Sequence, residues 1–399
     1  MPFDHDIVIV GGGPAGATTA IAVARAAPEL AARTVVLERA RFPRDKPCAG
    51  ALGGRGDALL SSLGVVVDVP SVPIHGVSVR ASSGEAAAAP GSIGRVVRRV
   101  EFDEALARAA VSLGVAVREG VRVTAIHDES GGGAIVETAE GPIRARVVVG
   151  CDGVGSVVRK ALGAGTGQLR AQVVEVDTEP VAADRARGLI HFDLSDPRLS
   201  GYAWDFPTLV GGRELVCRGV YRIRAGSAAP EDERDVGAIL DERLRAMGLA
   251  PDRAHVKRYA ERGFEPASRL ARGPMMLAGE AAGIDPATGE GIAQAIEYGV
   301  MAGTFVARRV RECHARVAVE GWADEVARSR LARDLRIRTH FMRLFHGSGR
   351  APLERLLTSS PDLLHVGCQH FAAQRPDWLK LGRVAARGAA VMAASLVAP

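Results

Sequence analysis

Short apolar runs, each closed by a glycine or an acid, punctuate the chain and alternate with stretches of helical period. Ile7-Val8-Ile9-Val10 stops at Gly11 and reads as a buried parallel strand. Residues 15–27 are alanine-rich and helical, Pro28 interrupts them, and Thr34-Val35-Val36-Leu37 is a second strand. A β-α-β unit therefore opens at residue 6. Residues 41–56 are polar and glycine-rich and predict a long loop; residues 65–90 are mixed and turn-rich. Residues 101–113 carry Phe102, Leu106, Ala109 and Ala110 at helical spacing, and residues 115–117 follow as a strand. Residues 121–126, 134–138 and 143–149 read as a β-meander around Gly131-Gly132-Gly133.

Residues 168–261 show strands with turns and one helix, 231–247. Met275-Met276-Leu277-Ala278 is another short apolar strand, and a helix is expected over 291–310. Residues 315–399 are helical in period, with breaks at Gly347-Ser348-Gly349, Pro352, Pro361 and Pro376; His340, Phe341, Met342 and Phe345 lie at helical spacing and read as core. The buried strand pieces are scattered. One sheet domain is thus assembled from separated segments with a second domain inserted.

Composition narrows the function. The 399 residues are 47% hydrophobic and 24% charged, which suits a globular enzyme and not a disordered chain. Aromatics are only 4%, so base stacking on single strands has little to work with. The net charge is 51 − 46 = +5, but only Lys46, Lys160, Lys257 and Lys380 are lysines and the basic runs are short, so no nucleic-acid face is expected. A weak attraction to an anionic membrane surface fits better. Cys48, Cys151, Cys217, Cys313 and Cys368 show no metal-ligand spacing; the expectation is reduced thiols in the cytoplasm, and no metal site. No signal peptide is legible, and no run of 18 apolar residues occurs.

Three motifs carry chemistry. In Gly11-Gly12-Gly13-Pro14-Ala15-Gly16, Gly11 permits the sharp turn after the strand. Gly13 lets backbone amides approach a pyrophosphate at a helix N-terminus, and Gly16 lets helix and strand pack closely. Glu38 ends the second strand, where an acid accepts hydrogen bonds from ribose hydroxyls. Gly150-Cys151-Asp152-Gly153 presents a carboxylate after a buried strand; an ordinary strand-to-helix turn capped by Ser156 is the plainer reading. Ala278-Gly279-Glu280 ends a strand in an acid suited to ribityl hydroxyls. Gly289-Glu290-Gly291-Ile292 then opens a helix whose N-terminus suits the electron-rich pyrimidine edge of a flavin.

The three motifs in this order resemble the flavoprotein fold of p-hydroxybenzoate-hydroxylase-type monooxygenases, flavin-dependent halogenases and geranylgeranyl reductases, over about residues 5–310. The resemblance implies an α/β, FAD-binding Rossmann-like fold of the glutathione-reductase/p-hydroxybenzoate-hydroxylase type, with an inserted β-sheet substrate domain and C-terminal helices. Residues 1–65, 96–165 and 265–312 would form the FAD domain, 66–95 and 166–264 the substrate domain, and 313–399 a helical region. Around FAD it implies Gly11, Gly13, Pro14, Ala15 and Gly16; Glu38 and Arg39; Lys46, Cys48, Ala49 and Gly50; Arg99; Asp152 and Gly153; and Gly279, Glu280, Pro286, Gly289, Gly291 and Ile292. Glu280 stands where the family usually has Asp; its extra methylene shifts the ribityl contact or routes it through water.

Two segments resemble the geranylgeranyl reductase branch. Lys46-Pro47-Cys48-Ala49-Gly50 is similar to its Lys-x-Cys-Gly-Gly loop, and Tyr202-Ala203-Trp204-Asp205-Phe206-Pro207 to its Tyr-x-Trp-x-Phe-Pro motif. In addition, Gly283 stands where aromatic hydroxylases usually carry His, and the halogenase Trp-x-Trp-x-Ile-Pro segment is absent. Cys48 would be catalytic, orienting substrate or helping deliver a proton, or else a packed small hydrophobe. Tyr202, Trp204 and Phe206 put three rings on one strand face, either a substrate wall or plain core. The implied reaction is reduction of a carbon–carbon double bond of a hydrophobic small molecule by hydride from reduced flavin. An FAD monooxygenase of secondary metabolism, or a flavoprotein acting on a protein partner, are the alternatives. There is no second strand–GxGxxG–helix unit, so electrons are expected from a transient NAD(P)H encounter or a separate reductant. The C-terminal helices would cap a long pocket, touch a membrane or partner, or pack on the FAD domain.

Overall fold

The computed structural model describes residues 2–129, 132–225, 234–250, 255–285, 287–313, 316–346 and 349–397. In chain order the first elements are β1 (His5–Val10), α1 (Pro14–Ala26), β2 (Thr34–Glu38), β3 (Ala51–Gly53), α2 (Gly54–Ser62), β4 (Ser71–Ile74), β5 (Gly76–Ala81), β6 (Gly84–Ala88), β7 (Gly94–Val97) and α3 (Arg99–Ser112). There follow β8 (Ala116–Glu119), β9 (Val123–Asp128), β10 (Ala134–Thr138), β11 (Gly141–Gly150), α4 (Val157–Ala161), β12 (Leu169–Thr178), β13 (Leu189–Asp193), β14 (Gly201–Val210) and β15 (Arg213–Ala225). Next are α5 (Val236–Ala246), β16 (Lys257–Arg262), β17 (Ala271–Arg272), β18 (Met275–Leu277) and α6 (Ile292–Glu312). The chain then continues through α7 (Trp322–Arg328), α8 (Arg330–Phe345), α9 (Arg350–Ser359), α10 (Pro361–Phe371) and α11 (Trp378–Val397).

The first sheet runs β17-β18-β11-β1-β2-β8, with β9 and β10 folding back from β11 as the expected meander. Its centre is parallel: β1 pairs with β11 and β2, β2 with β8, and β11 with β18. A parallel strand covered on both faces needs an unbroken apolar run, and Ile7, Val8, Ile9, Val147, Val148 and Val149 are all fully buried. The second sheet runs β16-β12-β15-β14-β13-β5-β6 and is antiparallel except where β13 meets β5. A third, three-stranded sheet, β3-β7-β4, joins segments on either side of the boundaries anticipated near residues 65 and 95.

Helix α6 lies against α1. A Cβ built on Gly299 would stand 2.7 Å from the Ala15 carbonyl oxygen, and one on Gly303 2.4 Å from that of Thr19, so the two backbones touch. Trp322 of α7 is fully buried against Phe305 and donates its indole N–H to the Leu277 carbonyl at 2.7 Å, fastening α7 to the end of β18. Among the described residues no helix is long and apolar enough to cross a membrane.

Several elements depart from the sequence reading. The loop expected over 41–56 contains β3 and the start of α2. β3 is three residues long and holds only by pairing with β7, a distant segment that local composition does not announce. Helix α3 begins at Arg99, two residues early. Helix α5 begins at Val236, where the Asp235 side chain accepts the Ala238 amide; residues 231–233 lie outside the described residues. On α8, Met342 and Phe345 are buried as expected, but Phe341 and His340 face outward.

Substitution Gly303→Val is expected to push α6 off α1 and lower the unfolding free energy by about 1–3 kcal/mol, read by denaturant titration. An unchanged midpoint would contradict the backbone contact.

Candidate functional site

The carboxyl ends of β1, β2, β11 and β18 open on one cavity of about 770 Å³, within the range of small-molecule sites. Gly11 has φ +100°, and a Cβ there would stand 2.5 Å from the Cys151 carbonyl oxygen. A Cβ at Gly16 would stand 1.8 Å from the Gly11 carbonyl oxygen. The strand-to-helix corner therefore tolerates glycine alone at both positions. Helix α1 starts behind Gly13 with no side-chain cap, and α6 starts behind Gly291 likewise. Gly13, Pro14 and Ala15 line the cavity on one side, and Gly289, Gly291 and Ile292 on the other. Two helices of 13 and 21 residues thus turn free amides and their positive ends toward the same space.

Glu38 lines this space and is anchored: its Oε2 accepts the Gly12 amide at 2.8 Å and its Oε1 the Ala40 amide at 3.0 Å. Arg39 and Arg99 line the cavity too. Arg99 clasps Asp103 with two bonds of 2.7 Å, and Arg44 reaches Asp103 at 3.0 Å. Burial alone would lower Arg99, but Asp103 more than offsets it and holds the guanidinium protonated. Asp152 and Gly153 line the same wall; the Asp152 carboxylate caps α4, accepting the Val157 amide at 2.6 Å and the Ser156 hydroxyl. Burial pushes that carboxyl up, against these bonds. Glu280 is paired with Lys46 at 3.1 Å through Oε2, while its buried Oε1 has no hydrogen-bond partner.

Other expected residues stand back from the cavity wall. Gly16 and Gly279 support the corner. Ala49 and Gly50 pack behind Cys48, where a Cβ on Gly50 would stand 2.1 Å from the Val97 carbonyl oxygen. Pro286 lies outside the described residues. Cys48 itself lines the cavity, its amide donating to Glu175 at 2.8 Å. Burial raises the thiol, with Arg99 opposing, so it remains protonated at neutral pH. Tyr202, Trp204 and Phe206 share one face of β14 in edge-on and tilted contacts, packed among Phe192, Tyr221, Met342 and Cys368. They are buried to 8%, 3% and 5% exposure, and the described wall does not include them. Tyr202 reaches closest, donating its hydroxyl to the Thr288 carbonyl at 2.6 Å, directly behind Gly289.

Sequence reasoning missed Tyr259 and Glu261, which β16 contributes to the wall, and Glu175 and Arg338 behind it. The signal for Glu175 was present: an acid interrupts the apolar run Val173-Val174-Glu175-Val176. Arg338 on α8 pairs with Asp285 and Glu290, both at 2.6 Å, and so braces the turn before α6. Burial raises Glu175 to about 7, and burial with Glu280 nearby raises Glu261 to about 8.

The residues present fit FAD: two open helix N-termini flank the cavity, glycines admit a backbone-hugging group, and an orphaned carboxylate oxygen waits for a hydroxyl. Residues 4–315 match the family model described as FAD binding domain. The chain is 29% identical over 321 residues to menaquinone reductase of Mycobacterium tuberculosis, covering 76% of this chain and 77% of that protein. It is 27% identical over 337 residues to rifampicin monooxygenase of Streptomyces venezuelae, covering 80% and 66%. A solved structure from Thermoplasma acidophilum, a geranylgeranyl bacteriochlorophyll reductase-like protein, superposes with TM-score 0.74 over 95% of both chains at 18% identity, a likeness of fold.

Glu175 and Glu261 bind protons more tightly folded than unfolded, where the ordinary value is 4.5. The folded state then holds more protons between pH 4.5 and about 8, so their stabilisation is full at low pH and declines as pH rises through that window. Glu175→Gln is expected to flatten the decline in unfolding free energy up to about pH 7; an unaltered slope would refute the assignment.

Proposed function

This chain belongs to the FAD binding domain family and is an FAD-dependent oxidoreductase; we propose that it reduces a carbon–carbon double bond of a hydrophobic, isoprenoid-like substrate. The observation that carries this reading is the Cys48 loop in the cavity wall. It brings a protonated thiol into a space shared by the two helix N-termini and backed by the aromatic face of β14. When bound, FAD supplies a two-electron carrier able to pass hydride.

The chain's own residues supply the remainder. Gly11, Gly13, Pro14 and Ala15, with Arg39 near them, would hold the pyrophosphate and Glu38 the ribose. Glu280 and Lys46 would hold the ribityl chain, and the amides at Gly291 and Ile292 would hold the pyrimidine edge. An isolated alkene is a poor electrophile, so orientation and exclusion of water must contribute most of the acceleration. Cys48 is assigned the orienting contact with substrate. Tyr202, Trp204 and Phe206 would stiffen the apolar wall from behind. Electrons would come from a passing NAD(P)H or from a separate reductant. The second reading is oxygen-dependent tailoring, favoured by the likeness to rifampicin monooxygenase.

The test is anaerobic. Chemically reduced, FAD-loaded protein is expected to saturate double bonds of menaquinone or geranylgeranyl diphosphate, each gaining one hydrogen pair by mass spectrometry. Product that forms only in the presence of oxygen would favour tailoring instead. Cys48→Ala is expected to slow saturation about tenfold or more with FAD retained, and undiminished turnover would remove Cys48 from the mechanism.

A further inference from the structure

Reducing an alkene takes a proton as well as a hydride, and the cavity offers few groups able to give one. Tyr202 has committed its hydroxyl proton to the Thr288 carbonyl. Cys48 is a weak acid, raised above its ordinary 9.0 by burial. Glu175 is almost fully buried behind the Cys48 amide and is no part of the wall.

Glu261 differs from all three. It sits near the end of β16, the edge strand of the second sheet, and is one of the residues lining the cavity. Its Oε2 accepts the Tyr221 hydroxyl at 2.8 Å. Tyr221 is itself fixed by stacking on Tyr202, centroids 5.1 Å apart and planes 10° from parallel. The groups facing Glu261 from other elements are Tyr221 on β15, Tyr202 on β14, Glu280 after β18, Asp285 before α6 and Lys46 on the Cys48 loop, with Tyr259 its neighbour on β16. Two of these are acids and only Lys46, itself paired to Glu280, is a cation.

We propose that Glu261, positioned by Tyr221, is the proton donor of this cavity. The proposal rests on the alkene-reduction reading above. Hydride addition to one alkene carbon breaks the π bond and leaves its neighbour short of one proton. The Glu261 O–H bond breaks to supply it, a C–H bond forms, and the carboxylate left behind recovers a proton from solvent. The acid's strength suits this: burial and Glu280 hold it near 8, so it is loaded at neutral pH yet gives up its proton more readily than the thiol.

The first readout needs no substrate. Infrared difference spectra of FAD-loaded protein titrated from acid to alkali are expected to show a carboxylic C=O stretch that persists to about pH 8 and is absent in Glu261→Gln. Tyr221→Phe removes a hydrogen bond that favours the carboxylate, so the band is expected to survive to higher pH, and the alkaline limb of turnover to move up with it. Turnover on geranylgeranyl diphosphate is expected to fall about a hundredfold in Glu261→Gln while FAD is retained. No such band in the parent protein, or its survival in Glu261→Gln, overturns the proposal. So does a normal band with undiminished turnover in Glu261→Gln. If the band behaves as expected but the parent protein saturates no prenyl compound, the functional reading has failed and the donation step falls with it.

Discussion

The backbone of Gly11 meets that of Cys151 where β1 and β11 run out side by side, and the Gly11 carbonyl in turn meets Gly16 on α1. No side chain fits between these groups. The contact fixes the angle at which α1 leaves the sheet, and with it the direction of the free amides behind Gly13. Everything else about the cavity is placed relative to that corner. Helix α6 rests on α1 through Gly299 and Gly303, so its own N-terminus comes to the same space from the opposite side. Close backbone packing, bought with glycine, is what allows one ligand to touch two helix ends.

A second constraint is electrostatic. The cavity wall interleaves bases, among them Arg39, Arg44, Arg99, Arg122, Lys160 and Arg258, with acids, among them Glu38, Asp152, Glu261 and Glu280. The bases suit an anionic pyrophosphate. Acids enclosed in a dry setting cannot all stay charged, and Glu261, buried and with Glu280 nearby, answers by staying protonated.

How much of this was legible depended on whether the signal was local. The corner Gly11 to Gly16, the acid Glu38 at a strand end and the turn before α6 announce themselves because each is a steric or capping requirement met within a few residues. FAD and the α/β class were implied by the resemblance that the three motifs, Gly150-Cys151-Asp152-Gly153 among them, bear to a flavoprotein family. Glu261 was invisible for the opposite reason: Arg258-Tyr259-Ala260-Glu261-Arg262 alternates like a half-exposed strand, and only its pairing beside β12 and the approach of Tyr221 and Glu280 enclose the carboxyl. The ring triplet Tyr202, Trp204 and Phe206 was correctly seen to share a face, but periodicity cannot tell a face that touches a ligand from one that supports the layer touching it. β3 was missed because a three-residue strand exists only through its partner.

The stretch recognised as FAD binding ends at residue 315, yet Arg338, beyond it on α8, answers the charges of Asp285 and Glu290 in the turn before α6. The boundary drawn by descent and the boundary drawn by electrostatics thus fall in different places. Grafting the C-terminal helices of a relative onto this chain to alter its chemistry would exchange a counter-ion along with the fold, so a workable chimera has to carry α8 together with the turn it neutralises.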